Sequence, residues 1–211
     1  MCCRYYMELS PELRPIIEEA NRSALKDRIV NKLGRPMVTE GEVRPTNIVP
    51  VIAPDRSGAG SVFPMVWGFT LPRSSSPVFN ARVETAGIKP TFKESWERRR
   101  CIIPASYYFE WEHLTNAATG RTKTGDKYML QPKGSSITWL AGLYRIEEMS
   151  GIRVPVFTIL TREPGEEIRF IHDRMPVILP AEDVGKWIDP YSSPDEIVKD
   201  AMTDMVFEKA V

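Results

Sequence analysis

Apolar positions in the first part of the chain recur at helical spacing. Leu13, Ile16, Ile17, Ala20 and Ala24 fall on one face of a segment over residues 11–33. Ser10 suits an N-cap, Pro11 the first helical position, and Gly34 before Arg35-Pro36 a stop. The pattern weakens at Asn21-Arg22-Ser23, where a break is expected. Beyond Glu42 the period shortens. Residues 47–52 and 62–69 read as short strands around a hairpin loop over 55–60. A loop rich in serine covers 73–77. A helix over 91–100 would bury Phe92, Ser95 and Trp96, with Arg98, Arg99 and Arg100 as its solvated end. Strands follow over 101–104 and 107–112, then an exposed loop over 115–126. Two more strands, 136–146 and 153–161, meet at Ser150-Gly151. A short apolar run at 177–179 precedes two helices over 181–188 and 194–202. Eighteen prolines disfavour long helices. The expectation is an α+β fold: a single strand-rich domain over 1–211, with a curled antiparallel or mixed sheet, or a barrel, and peripheral helices.

Charge changes this picture little. Twenty-eight basic residues balance 28 acidic ones, so any polyanion site must be a local patch. The first ten residues lack the apolar region of a signal peptide, and no run approaches a membrane span. A soluble, cytoplasmic monomer is expected. Three cysteines, two of them adjacent, do not make a disulfide framework. Neither cysteines nor histidines show metal-ligand spacing, so no metal and no cofactor is expected.

Cys2 carries the most distinctive chemistry. Methionine is usually trimmed before a small second residue, which would leave a 1,2-aminothiol. Its α-amine (pKa about 7.7–8.0) and thiol (about 8.5) are both partly reactive at neutral pH. An aldehyde would condense with the amine, and the thiol would close a thiazolidine ring. The alternative is a frayed terminus without a role. Glu110 lies among aromatics, where burial would raise its pKa and suit proton transfer; the competing reading is a strand residue facing water. His172 is one of two histidines, catalytic or structural, and His113 reads as solvated. Asn80 alone would read as a turn residue.

Together these residues resemble a known family. Met1-Cys2 with Arg4, Pro45-Thr46, Trp67-Gly68-Phe69, Asn80 to Thr85, Arg99 to Ala105, Phe109-Glu110-Trp111, Ala141 to Tyr144, Thr158 to Thr161 and Ile171 to Pro176 occur in order. The series resembles the SOS-response-associated peptidase (SRAP) family of abasic-site processing proteins, from residue 2 to about 180. The resemblance implies covalent trapping of abasic sites in single-stranded DNA by Cys2, in DNA damage repair, with the protein nucleoid-associated when bound to DNA. Glu110 would move protons, and could assist self-cleavage of Met1 and lyase-type reversal. His172 would assist sugar ring opening, and Asn80 would hold the terminus or the sugar. Arg4 and Arg82 would contact phosphates, with Arg162 and Arg174 as further contacts. Trp67 is either a base wedge or a core residue.

Two positions depart from the family pattern, where glycine is usual: Cys3 and Tyr107. A second thiol could compete for the aldehyde, and the Tyr107 ring could reshape the pocket. Two other functions stay open: a cysteine peptidase acting in trans, and a non-covalent single-stranded DNA-binding module.

Overall fold

The computed structural model describes residues 2–72, 74–115 and 119–210. Met1, Arg73 and residues 116–118 of the expected loop lie outside the described residues.

Strand β1 (Arg4–Met7) opens the chain and is followed by helices α1 (Arg14–Arg22) and α2 (Ala24–Leu33). The predicted break falls at Ser23, whose extended ψ of 122° cannot continue a helix. Ser10 Oγ accepts the Leu13 N–H, so it caps the turn before α1 rather than the helix itself. Gly34, at φ 66°, ends α2 in the left-handed conformation that glycine adopts without strain. Then come β2 (Gly41–Val43), β3 (Ile48–Pro54) and β4 (Gly60–Trp67). Strand β5 (Asn80–Arg82) leads into α3 (Val83–Ala86) and α4 (Pro90–Arg98). Strands β6 (Arg100–Ala105), β7 (Tyr107–Thr115), β8 (Thr122–Pro132), β9 (Thr138–Met149) and β10 (Ile152–Arg162) follow. Short β11 (Met175–Pro176) and β12 (Ile178–Leu179), helices α5 (Val184–Ile188) and α6 (Pro194–Ile197), and β13 (Met205–Lys209) complete the order.

The pairings β10–β4–β3–β6–β9 return to β10, so five strands close a barrel. Only the β4–β10 seam of this ring is parallel. A second, wholly antiparallel sheet runs β13-β8-β7-β1-β2. Strand alternation sorts the apolar residues into two clusters. Val49, Val51, Ala53, Met65, Cys101, Ile103, Phe157 and Ile159 cluster with Cys2, Tyr5 and Met7. Their neighbours Ile48, Val66, Ile102, Leu143, Val154 and Val156 instead meet Ile29 of α2, Phe92 and Trp96 of α4, and Trp187 of α5. The first cluster fills the barrel and its junction with β1; the second lies under the helices.

Four expectations needed correction. The exposed loop expected over 115–126 gives way at Thr122 to β8, an eleven-residue strand whose start is polar and mostly exposed, Thr-Lys-Thr-Gly-Asp-Lys. Each helix expected near the C-terminus is a short α-helix joined to one 3-10 turn, Ala181–Asp183 before α5 and Val198–Asp200 after α6. Strand β13 was missed because only Met205 of its five residues is buried, leaving no alternation to see. Arg100 is not solvated. It is 1% exposed, and its guanidinium donates to the carbonyls of Trp187 (2.7 Å), Trp96 (2.9 Å), Glu97 (2.9 Å), Ser192 (3.0 Å) and Asp189. The helix ends at Arg98, so Arg100 begins a strand and turns its cation onto carbonyls of the last turn of α4 and of the α5 end and the loop after it.

Candidate active site

Cys2 is wholly buried, at 0% exposure, and belongs to the barrel cluster. The chain end is held because β1 is an interior strand, flanked by β7 and β2. Asn80 Nδ2 donates to the Cys2 carbonyl at 2.7 Å. Strand β5 is positioned for this by pairing parallel to β10, Asn80 opposite Ile159. Burial, then the Glu110 charge, pushes the Cys2 thiol well above its ordinary pKa. The thiol is therefore neutral at physiological pH.

Glu110 faces inward because β7 alternates. Tyr108 and Glu110 point toward Cys2, whereas Tyr107, Phe109 and Trp111 share the opposite face. Glu110 is 4% exposed, and burial raises its carboxyl pKa, aided by the Asp173 charge. Its Oε1 accepts the Trp111 N–H at 3.3 Å. The expected proton-transfer pKa shift thus has its physical cause. The hydroxyls of Tyr5 and Tyr108 and Asn80 Oδ1 are buried without a hydrogen-bond partner among the described residues. The chamber around Cys2 therefore holds unused polar capacity.

His172 is 6% exposed, and its Nδ1 accepts the Arg174 N–H at 3.0 Å. Burial, with the nearby His113, lowers its pKa from 6.5 to about 4, so it is a neutral imidazole at pH 7. A β-bulge between Trp111 and His113 shifts the β7–β8 register. Beyond the bulge His113 N donates to Ile171 O at 2.9 Å, and the two imidazole rings lie 3.9 Å apart. His113 is thus a partner of His172, not a purely solvated residue. One ligand atom each from His113, His172 and Asp173 lies within 4.8 Å of the others, a donor set suited to zinc or a similar cation. Spacing in the sequence could not reveal it, because the residues come from β7 and a distant loop.

The candidate DNA contacts divide. Arg4 stands at the edge of the chamber, pairing with Glu42 at 2.9 Å and lying 5.2 Å from the Trp111 ring centroid. Arg82 is exposed, two residues from Asn80 and on the same side of β5. Trp67 is a core residue. It is 0% exposed, stacks on Phe157 at 6.0 Å and donates from Nε1 to Phe79 O, so no ring face is open to a base. Gly68 follows at φ 124°, where an added Cβ would meet Pro77 at 2.8 Å. Arg174, 9% exposed, grips Glu84 through both terminal nitrogens (2.8 and 2.9 Å) and also bonds Thr161 O. It is consumed by an internal ion pair. Arg162 holds the carbonyls of Val198 and Ala201 at 3.4 Å.

Motif spacing in the sequence does not point to Lys127, Arg44 or Trp111. Lys127 lies 3.6 Å from the Phe109 centroid and 5.6 Å from that of Trp111. With Arg4 and Arg44 it surrounds the single carboxylate of Glu42, leaving a cationic excess next to a half-buried Trp111. The signal was the alternation Tyr107, Phe109, Trp111, an aromatic stripe on the face opposite Glu110. The same stripe settles Tyr107. Its ring stacks on Tyr6 at 5.0 Å on that outer face, so it does not enter the pocket. Cys3 is half-buried, and all three cysteines are free. No helix among the described residues is long and apolar enough to cross a membrane.

Comparisons with known proteins place this chain in a family. The profile of the SOS response associated peptidase (SRAP) family matches residues 1–210, and the chain belongs to that family. The abasic site processing protein YoaM of Bacillus subtilis (strain 168) is 33% identical over 168 residues, covering 74% of this chain and 71% of YoaM. YobE of the same organism, also named an abasic site processing protein, is 38% identical over 114 residues; the match spans 54% of this chain and 49% of YobE. A crystal structure of a protein from Bacteroides thetaiotaomicron shares the fold, with a TM-score of 0.72 at 22% identity over 100% of this chain and 92% of that one.

Proposed function

We propose that this chain, once Met1 is removed, captures abasic sites in single-stranded DNA covalently through Cys2. The observation that carries this reading is a wholly buried Cys2, its carbonyl held by Asn80 and its thiol under the charge of a buried Glu110. Family membership and relatives named abasic site processing proteins support it.

The steps balance as follows. The freed Cys2 amine adds to the aldehyde carbon of the ring-opened sugar. Water leaves, its oxygen protonated by the Glu110 carboxyl, and an imine remains. The Cys2 sulfur then bonds to the imine carbon, and the thiol proton passes through Glu110 to the nitrogen. One water is lost in total, and a thiazolidine joins protein to DNA. A carboxyl group whose pKa is raised toward neutrality can both donate and accept here. Neutral His172 accepts the sugar hydroxyl proton during ring opening. The same Glu110 assists water in cleaving the Met1–Cys2 bond. Reversal of ring closure regenerates the imine, which water hydrolyses to the aldehyde and the free amine; lyase-type chemistry would instead eliminate the 3′-phosphate from that imine.

A neutral, desolvated thiol favours this amine-first route over a thiolate nucleophile working in trans, which needs a lowered cysteine pKa. Arg4, Lys127 and Arg82 take the phosphates, and Trp111 takes a base face.

The test is a denaturing gel. Protein whose Met1 loss is confirmed by intact mass is mixed with a single-stranded oligonucleotide carrying one abasic site, beside Cys2→Ala. A heat-stable shifted band requiring both Cys2 and the lesion is expected. Its absence from trimmed protein overturns the covalent reading.

A further inference from the structure

A barrel has two ends, and Cys2 occupies only one. Asn80 pairs with Ile159 near the C-terminal end of β10. Arg153 lies six positions earlier on the same strand, about 20 Å away at the usual strand rise. Around Arg153 opens a cavity of about 570 Å³, lined by none of Cys2, Asn80, Glu110 and His172. Its floor is the interior face of the barrel: Ala53, Phe63, Met65, Tyr144 and Pro155, continued outward by the exposed Ile146.

The rim is cationic. Arg28 of α2, Arg56 of the β3–β4 hairpin and Arg153 of β10 all line the opening. Each is exposed, and none has an ion pair or side-chain hydrogen bond among the described residues. Glu148, opposite Arg153 in the β9–β10 register, forms no ion pair with it. Among the described lining residues Asp55 is the one carboxylate, and it is committed to its own loop. Its Oδ1 accepts from Ser57 N (2.7 Å), Ser57 Oγ (2.6 Å) and Ala59 N (3.1 Å).

That commitment constrains the ligand. With the loop amides satisfied by Asp55, no nest of free backbone N–H groups remains to cradle a phosphate. Anion recognition falls to three guanidinium groups on three separate elements, with apolar surface between them. A ligand that matches has several carboxylates spaced around large apolar side chains. We propose that this opposite mouth of the barrel binds a short acidic segment of a partner protein, with a leucine- or phenylalanine-sized side chain on the barrel floor and its carboxylates on Arg28, Arg56 and Arg153. This inference does not depend on the chemistry at Cys2.

Fluorescence anisotropy tests it with a labelled ten-residue peptide in which aspartates alternate with leucine and phenylalanine. The full chain should bind it in a salt-sensitive manner, and should ignore the same peptide with lysines for aspartates. The double variant Arg28→Glu/Arg153→Glu should weaken binding by roughly tenfold or more, as expected for charge reversal at a rim. Ile146→Asp should weaken it independently through the floor. All three substituted residues are exposed, and unchanged melting temperatures would verify folding. Absence of binding at about 1 mM peptide, or equal binding by the charge-reversed variant, overturns the proposal. So does displacement of the peptide by inorganic phosphate or by an undamaged single-stranded oligonucleotide, which would make this a phosphate site.

Discussion

The side-chain amide of Asn80 donates to the carbonyl of Cys2 at 2.7 Å, joining residues 78 positions apart. This bond ties the residue proposed to react to β5, a strand of the other sheet. Asn80→Ala should therefore slow crosslinking to abasic DNA by roughly tenfold, while destabilising the fold by only about 1 kcal/mol. Single-turnover gel assays and urea unfolding measure the two quantities. An unchanged crosslinking rate would remove Asn80 from the positioning role.

Glu110 sets activity against stability. Its folded carboxyl pKa is raised, so the native state holds the proton more tightly than the unfolded chain. Stability is then greatest below the unfolded pKa and declines as pH rises toward the folded value. Glu110→Gln removes that penalty. The variant should melt at a higher temperature than the parent at pH 7 and show no advantage below about pH 4. Its crosslinking rate should nevertheless fall by about 10²-fold or more.

His172 gives the opposite slope. Its pKa falls from 6.5 to about 4 on folding, so its stabilising contribution is complete above 6.5 and is lost as pH drops through 4. His172→Gln should flatten the acid side of the stability profile between those values. Denaturant titrations at pH 7 and pH 5 check this: the parent should lose more than the variant.

The two tryptophans should separate binding from folding. Trp111→Ala should weaken binding of undamaged single-stranded DNA by about 1–3 kcal/mol with little change in melting temperature. Trp67→Ala should cost about 3–5 kcal/mol of stability, because it empties the centre of the barrel. Anisotropy and thermal melts read these outcomes separately.

Arg100 is the most deeply buried cation among the described residues. Arg100→Met removes the donors from five carbonyls, two in the last turn of α4 and three in or after α5, and should destabilise by about 3–5 kcal/mol. Urea unfolding at neutral pH measures the loss.

Local pattern disclosed most of the strands and the two helices near the start, because alternation and capping are written in adjacent residues. Gly34 and Ser23 fell where their backbone chemistry requires. The order of motifs also disclosed the family. Long-range events were not legible. Nothing next to Arg100 announces that carbonyls nearly 90 positions away will surround it, so three successive arginines read as a solvated end. Trp67 offered two readings, and only the closure of β10 onto β4 decides that its ring lies inside. The pairing of His113 with His172 depends on a bulge, which no periodicity records. Tyr107 resembled an intrusion into the pocket only while the side of the strand was unknown.

The anchoring of β1 has a consequence for the fate of the complex. A terminal residue ordinarily frays, and whatever is attached to it can be trimmed away by proteases. Here residue 2 is part of the apolar interior, and β1, which begins two residues later, lies between two other strands. Exposing that segment means opening the barrel cluster, so the opening free energy approaches that of global unfolding. DNA attached at this point would be tethered to the most durable part of the molecule. Its lifetime would be governed by chemical reversal or by whole-molecule unfolding, and not by loss of a loose end.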